Sequence, residues 1–128
     1  MSNAIFSICV GNFYKDICQI TYPTIKDYAN KINADFLIIT ETDLKYPHYA
    51  KFEIKSLLDK YDRVLYLDSD ILINPNSPDI FNIVSEDKIG MLDESVLGYH
   101  NKFIDFLEIY GKDYIEEWKN HKKCYNAG

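Results

Sequence analysis

The sequence predicts an α/β protein built on an open, mostly parallel sheet flanked by helices. Short apolar runs alternate with longer amphipathic stretches in the order strand, helix, strand, helix, strand. The run Arg63-Val64-Leu65-Tyr66-Leu67 carries no charge after its first residue, the habit of a strand covered on both faces. At 128 residues, with 47% apolar and 15% aromatic composition, the chain is long enough to bury a core. One domain over residues 1–128, or part of one, accounts for this pattern.

Each element follows from local signals. Ala4 to Val10 is an apolar run ended by the turn dipeptide Gly11-Asn12, and reads as the first strand. Ile17 and Ile20, then Ile25, Tyr28, Ala29 and Ile32, recur at helical spacing. Pro23 divides them into two helical segments, Asp16 to Thr21 and Pro23 to Asn33, because proline suits a first turn and not a helix interior. Phe36 to Thr40 is a compact strand. Tyr49 to Lys60 is a helix with Phe52, Ile54, Leu57 and Leu58 facing inward, and Arg63 to Leu67 is the third strand. Ile71-Leu72-Ile73 continues extended until Asn74-Pro75 breaks it. Ile89 to Leu92 reads as a further strand, and 96–122 as amphipathic helix split near Gly111.

Bulk properties exclude some functions. A net charge of -6 disfavours nucleic acid, whose polyanionic backbone selects basic surfaces. No apolar run reaches the roughly 18 residues of a membrane span. No basic residue precedes the short N-terminal apolar stretch, so a signal peptide is not expected and a cytoplasmic location is. Cys9, Cys18 and Cys124 are odd in number and lack metal-ligand spacing. Cys9, within an apolar run, reads as a small buried hydrophobe in a reducing compartment.

The chemistry concentrates at Leu65-Tyr66-Leu67-Asp68-Ser69-Asp70. In an extended backbone, residues two apart point the same way, so Asp68 and Asp70 present two carboxylates together at the end of a strand. Open α/β sheets bind ligands beyond the carboxyl ends of their strands. Two carboxylates there repel one another, and a hard divalent cation with positions left for phosphate oxygens resolves the repulsion. An acidic protein can then bind a diphosphate.

The stretch from Tyr61 to Ile73 resembles the Asp-x-Asp segment of family 8 glycosyltransferases. Ala50-Lys51-Phe52 falls where that family carries a basic residue, 17 positions before the first aspartate, and Tyr125-Asn126-Ala127-Gly128 resembles its Asn-Ala-Gly segment. The resemblance implies a Rossmann-like fold of the GT-A type and a nucleotide-diphosphate sugar donor, with UDP favoured. Asp68 and Asp70 would bind a divalent metal, manganese before magnesium, with Asp68 and Ser69 also at the donor. Lys51 would reach the donor phosphate or sugar, and Asn126 would line the sugar pocket and begin a strand beside the donor site. Val10, Gly11 and Asn12 would cradle the nucleotide, and Tyr14 would stack on its base. The acceptor, whether glycan, protein or lipid, is not specified.

The family continues beyond its Asn-Ala-Gly segment with more sheet and a histidine that completes the metal site. None of His48, His100 and His121 lies in the matching place. The expectation is therefore a truncated domain, weak in transfer by itself, with an exposed sheet edge inviting self-association. The ends of the acceptor site are equally open: Asp93 follows a short strand and reads either as an acceptor-side residue or as a plain loop aspartate. Two rival functions stand beside transfer. One is a non-catalytic donor-binding or assembly module. The other is a haloacid-dehalogenase-like phosphatase, whose Asp-x-Asp normally follows the first strand and not the third.

Overall fold

The structure is a computed structural model and describes residues 2–93 and 125–126. It divides into two compact units, Met1–Asp87 and Lys88–Ala127. The first unit holds strands β1 (Asn3–Ile8), β2 (Ala34–Ile39) and β3 (Arg63–Tyr66) in one sheet of order β2-β1-β3. Both pairings are parallel, with Ile5 of β1 opposite Phe36 of β2 and Leu65 of β3. Helix α1 (Asn12–Lys31) connects β1 to β2. A 3-10 helix, Pro47–Glu53, runs into the single turn of α2 (Ile54–Leu57) before β3, and α3 (Ile80–Ile83) follows later. In the second unit, β4 (Leu92–Asp93) pairs antiparallel with β5 (Tyr125–Asn126), bringing Leu92 opposite Asn126. Of the Asn-Ala-Gly segment, Asn126 lies in β5, and Ala127 and Gly128 lie outside the described residues. The helix expected over 96–122 lies outside the described residues.

Alternation along the strands sorts the core into two layers. Ile5, Phe36, Leu65 and Leu67 face one side, where Ile25, Tyr28, Ala29 and Ile32 of α1 and its C-terminal end cover them. Phe6, Ile8, Leu37, Ile39, Val64 and Tyr66 face the other, where Ala50 and Leu57 close over them. The most buried strand is β1, with Ala4 to Ile8 all buried. Strand β3 is half-buried throughout, because it has a strand neighbour on one side only among the described residues.

Besides the strand expected from Ile89 to Leu92, of which only Leu92 lies in β4, three elements depart from the sequence reading. The two segments expected around Pro23 form a single 20-residue helix with Pro23 inside it. Proline cannot donate to the Gln19 carbonyl, but buried residues on both sides of it, Cys18 and Thr21 before and Ile25, Tyr28 and Ala29 after, press one face onto the sheet. The helix also begins at Asn12, four residues early, since Gly11 at φ +93° makes the sharp exit from β1. The stretch expected as a helix from Tyr49 to Lys60 begins as 3-10, whose three-residue repeat buries Ala50 and leaves Phe52 exposed, and Leu58, just past α2, is exposed as well, contrary to the α-helical expectation.

The third departure is the segment after β3. Ile71 to Ile73 forms no strand. Polar groups along one stripe of α1 hold this backbone instead. Thr21 Oγ1 donates to the Ser69 carbonyl at 2.6 Å, and Ile73 N donates to Thr24 Oγ1 at 3.1 Å. Tyr28 Oη donates to the Pro78 carbonyl at 2.8 Å and accepts from Ile80 N at 3.0 Å. Lys31 Nζ reaches the carbonyls of Pro75 and Ser77, both at 2.8 Å. Positions 21, 24, 28 and 31 share one helix face, so α1 replaces the missing strand ladder with side chains. Arg63 then ties down α3, donating to the Phe81 and Val84 carbonyls and lying over the Phe81 ring.

Candidate functional site

Parallel pairing makes β1 and β3 leave the sheet at the same edge. Leu67 N donates to the Phe6 carbonyl at 2.9 Å, carrying the β1–β3 ladder to the threshold of Asp68. Beyond that edge lie Val10-Gly11-Asn12 from β1 and Asp68-Ser69-Asp70 from β3. Val10 is half-buried against the same apolar layer as Tyr66 and Ala50, so the ends of both strands and the 3-10 helix carrying Lys51 meet on one face. Lys51 is half-buried there.

Strand alternation holds for the first aspartate. Asp68 stands two residues after Tyr66, and the Tyr66 hydroxyl donates to Asp68 Oδ1 at 2.8 Å. It does not hold for the second. β3 ends at Tyr66 and residues 69–70 form a turn, so Asp70 reaches its place through the turn and not through an extended strand. That turn is fixed from beneath: Ser69 is buried, its carbonyl held by Thr21. Asp68 is half-buried and Asp70 exposed. The Tyr66 phenol is pushed well above its usual range, first by burial, then by its hydrogen bond to Asp68, with the charges of Asp68 and Asp70 adding to the rise. Tyr66 stays protonated and is a fixed hydrogen-bond donor to Asp68.

The loop after β1 is equally constrained. Gly11 and Asn12 are exposed, and Lys15 N donates to the Gly11 carbonyl at 3.3 Å to close the first helical turn. Tyr14 is 47% exposed, its ring edge-on to Phe13 at 5.4 Å. Cys9 and Cys18 are both buried, as an apolar reading of Cys9 predicts, but they are paired with each other as a disulfide, Cα atoms 6.6 Å apart. The reading of Cys9 as only a small buried hydrophobe in a reducing compartment is corrected on this point. The reason is geometric: the sharp turn at Gly11 folds α1 back so that its second turn lies beside the end of β1, a proximity no spacing rule shows.

Asn126 and Asp93 lie in the second unit, where Asp93 pairs with Tyr125 in a strand and is not a loop residue. His48 is exposed on the 3-10 helix, its ring 4.3 Å from that of Tyr49. Among the described residues no group of three or more His, Cys, Asp or Glu side chains converges on one point. Asp68 and Asp70 are the two carboxylates at this edge that could hold a divalent cation, whose remaining positions would need other oxygen ligands. A groove of about 410 Å³ lies on the same side of the sheet, between the end of β2 and α2, floored by Phe6, Leu37, Ile39 and Leu57 and edged by Glu41 and Glu53.

Two residues of this region escaped the sequence reading. Tyr66 was open to discovery, since it precedes Asp68 by two and so shares its side of the strand. Thr21 carries no such signal, because its partner Ser69 is 48 residues away.

No helix among the described residues is long and apolar enough to cross a membrane. No curated protein and no solved structure is similar to the chain at a significant level. A family model does match: the one described as glycosyl transferase family 8 covers residues 12–128. It takes in α1, Lys51, both aspartates and Asn126, on a parallel α/β sheet that suits the N-terminal part of a GT-A fold, and the chain belongs to glycosyl transferase family 8.

Proposed function

We propose that the chain binds a nucleotide-diphosphate sugar, with UDP as the nucleotide, and passes its sugar to an acceptor. The observation that carries this reading is the convergence of Val10-Gly11-Asn12 and Asp68-Ser69-Asp70 at one sheet edge, with Asp68 held by the Tyr66 hydroxyl. Glycosyl transfer places positive charge on the sugar and negative charge on the departing diphosphate. Asp68 and Asp70 would hold the divalent cation, manganese before magnesium, and that cation would supply charge to the leaving group. Tyr66 keeps the Asp68 carboxylate oriented, and Thr21 keeps the turn from swinging away. Lys51 supplies a point charge for phosphate or sugar. The exposed first turn of α1 offers backbone amides to an anion, while Val10 forms an apolar wall for the nucleoside. Ser69 contributes through its backbone and Tyr14 through an accessible ring.

Calorimetric titration of UDP tests this, with manganese, with excess chelator, and on Asp70→Ala. Binding that requires the metal and disappears in the variant is expected, with the thermal midpoint unchanged because Asp70 is exposed. Binding that survives chelator and the substitution alike would sink the metal reading. Metal-dependent binding with neither hydrolysis nor transfer of a UDP-sugar would instead favour a donor-binding module without turnover.

A further inference from the structure

We infer that Cys9 and Cys18 form a redox-controlled lock on the donor loop, a step that rests on the donor reading of Val10, Gly11 and Asn12. The two sulfurs pair across a separation of nine residues. The enclosed segment, residues 10–17, contains Val10, Gly11, Asn12 and Tyr14, the whole N-terminal share of the proposed donor site. One anchor is rigid: Cys9 follows the central strand, and its backbone N–H donates to the Ile39 carbonyl at 2.8 Å. The other lies on the buried face of α1. Between them the chain is exposed from Gly11 to Asp16, with Phe13 74% exposed. Gly11, at φ +93° with nothing within 4 Å of where a Cβ would stand, has no side-chain packing to hold its turn. In the oxidised chain the disulfide supplies that restraint. In the reduced chain the first turns of α1 are held by backbone hydrogen bonds alone and fray as helix ends do.

The lock closes by exchange with a low-molecular-weight disulfide such as oxidised glutathione. One cysteine thiolate attacks the small disulfide, forming a mixed disulfide and releasing one thiol. The other cysteine thiolate then attacks the protein sulfur, forming Cys9–Cys18 and releasing the second thiol. Two electrons pass from the protein to the small disulfide, and two protons leave the cysteines. With Cys9 and Cys18 both buried, exchange requires the loop to open, so the switch is slow and holds its state.

The whole chain is treated with oxidised glutathione or with a phosphine reductant, then alkylated and mapped by peptide mass, while amide exchange is followed over residues 10–17. After oxidation, Cys9 and Cys18 are expected to lose alkylation together as one linked peptide pair. Amide exchange from Asn12 to Ile17 is expected to slow by about tenfold. Manganese-dependent UDP affinity is expected to rise with it, and Cys9→Ser and Cys18→Ser are each expected to reproduce the reduced behaviour and no longer respond to oxidant. Continued alkylation of both cysteines after oxidation, or equal exchange in the two states, would overturn the lock. Equal UDP affinity in the two states would overturn its control of the donor site. If UDP binds neither state, the donor reading fails, and with it that control, while mapping and exchange still decide the lock itself.

Discussion

The two faces of the sheet divide the labour of this molecule. On one, a 20-residue helix buries Ile25, Tyr28, Ala29 and Ile32 against Ile5 and uses four polar side chains to strap down the segment after β3. On the other, a 3-10 helix and a single α-turn cover Phe6 and Ile8 with little more than Ala50 and Leu57. That second face leaves Tyr46, Tyr49, Phe52 and Leu58 exposed and carries Lys51, Val10 and the Tyr66–Asp68 pair. The thick face is built for stability and the thin face for a ligand. On the proposed reading, the thin cover leaves room beside Lys51, Val10 and Asp68 that a second full-length helix would fill.

Substitutions on the thick face should therefore unfold the chain before they disarm it. Ile25→Ala removes a side chain with no exposed surface and is expected to cost about 2–5 kcal/mol, read from denaturant midpoints. Its folded fraction should still bind UDP and manganese as the parent does. A loss of affinity with unchanged stability would erase the distinction between the faces.

Thr21→Val crosses the divide. It strips the buried Ser69 carbonyl of its donor, at a cost of about 1–3 kcal/mol. It should also weaken manganese-dependent UDP binding several-fold, because the turn bearing Asp70 loses its anchor. Stability lost without any change in affinity would mean that the turn holds its shape unaided. Tyr28→Phe sharpens the same point from further along the strap. Pro78 and Ile80 lose their shared partner, and about 1–2 kcal/mol of stability should go with it while donor affinity stays put.

The smallest effect expected is a pH dependence. Burial raises the Tyr22 phenol above its usual range, against the opposing influence of its hydrogen bond to Ser7. The folded state thus binds the proton more tightly than the unfolded chain. Its contribution to stability is complete below about pH 10 and is lost as pH rises through the folded value. Chemical denaturation measured from pH 9 upward should show stability falling, and Tyr22→Phe should flatten part of that slope. An unchanged slope in the variant would assign the loss to other tyrosines, Tyr61 and Tyr66 being raised as well.

Apolar periodicity and the Asp-x-Asp that follows the third apolar run determined the α/β class, the three parallel strands and the position of Asp68. Those are local properties: a buried strand needs an apolar run, and a ligand edge needs polar residues where the run stops. The tertiary structure decided the rest. Whether Pro23 breaks a helix depends on what its neighbours pack against, and here both sides of it are pressed onto one sheet. Asp70 arrives by a turn because Thr21, remote in sequence, holds the Ser69 carbonyl. Cys9 meets Cys18 because Gly11 reverses the chain between them. Gly11 marks the turn in the sequence, but which residues the turn and the helix bring together depends on partners distant along the chain, and those leave no mark in spacing or composition.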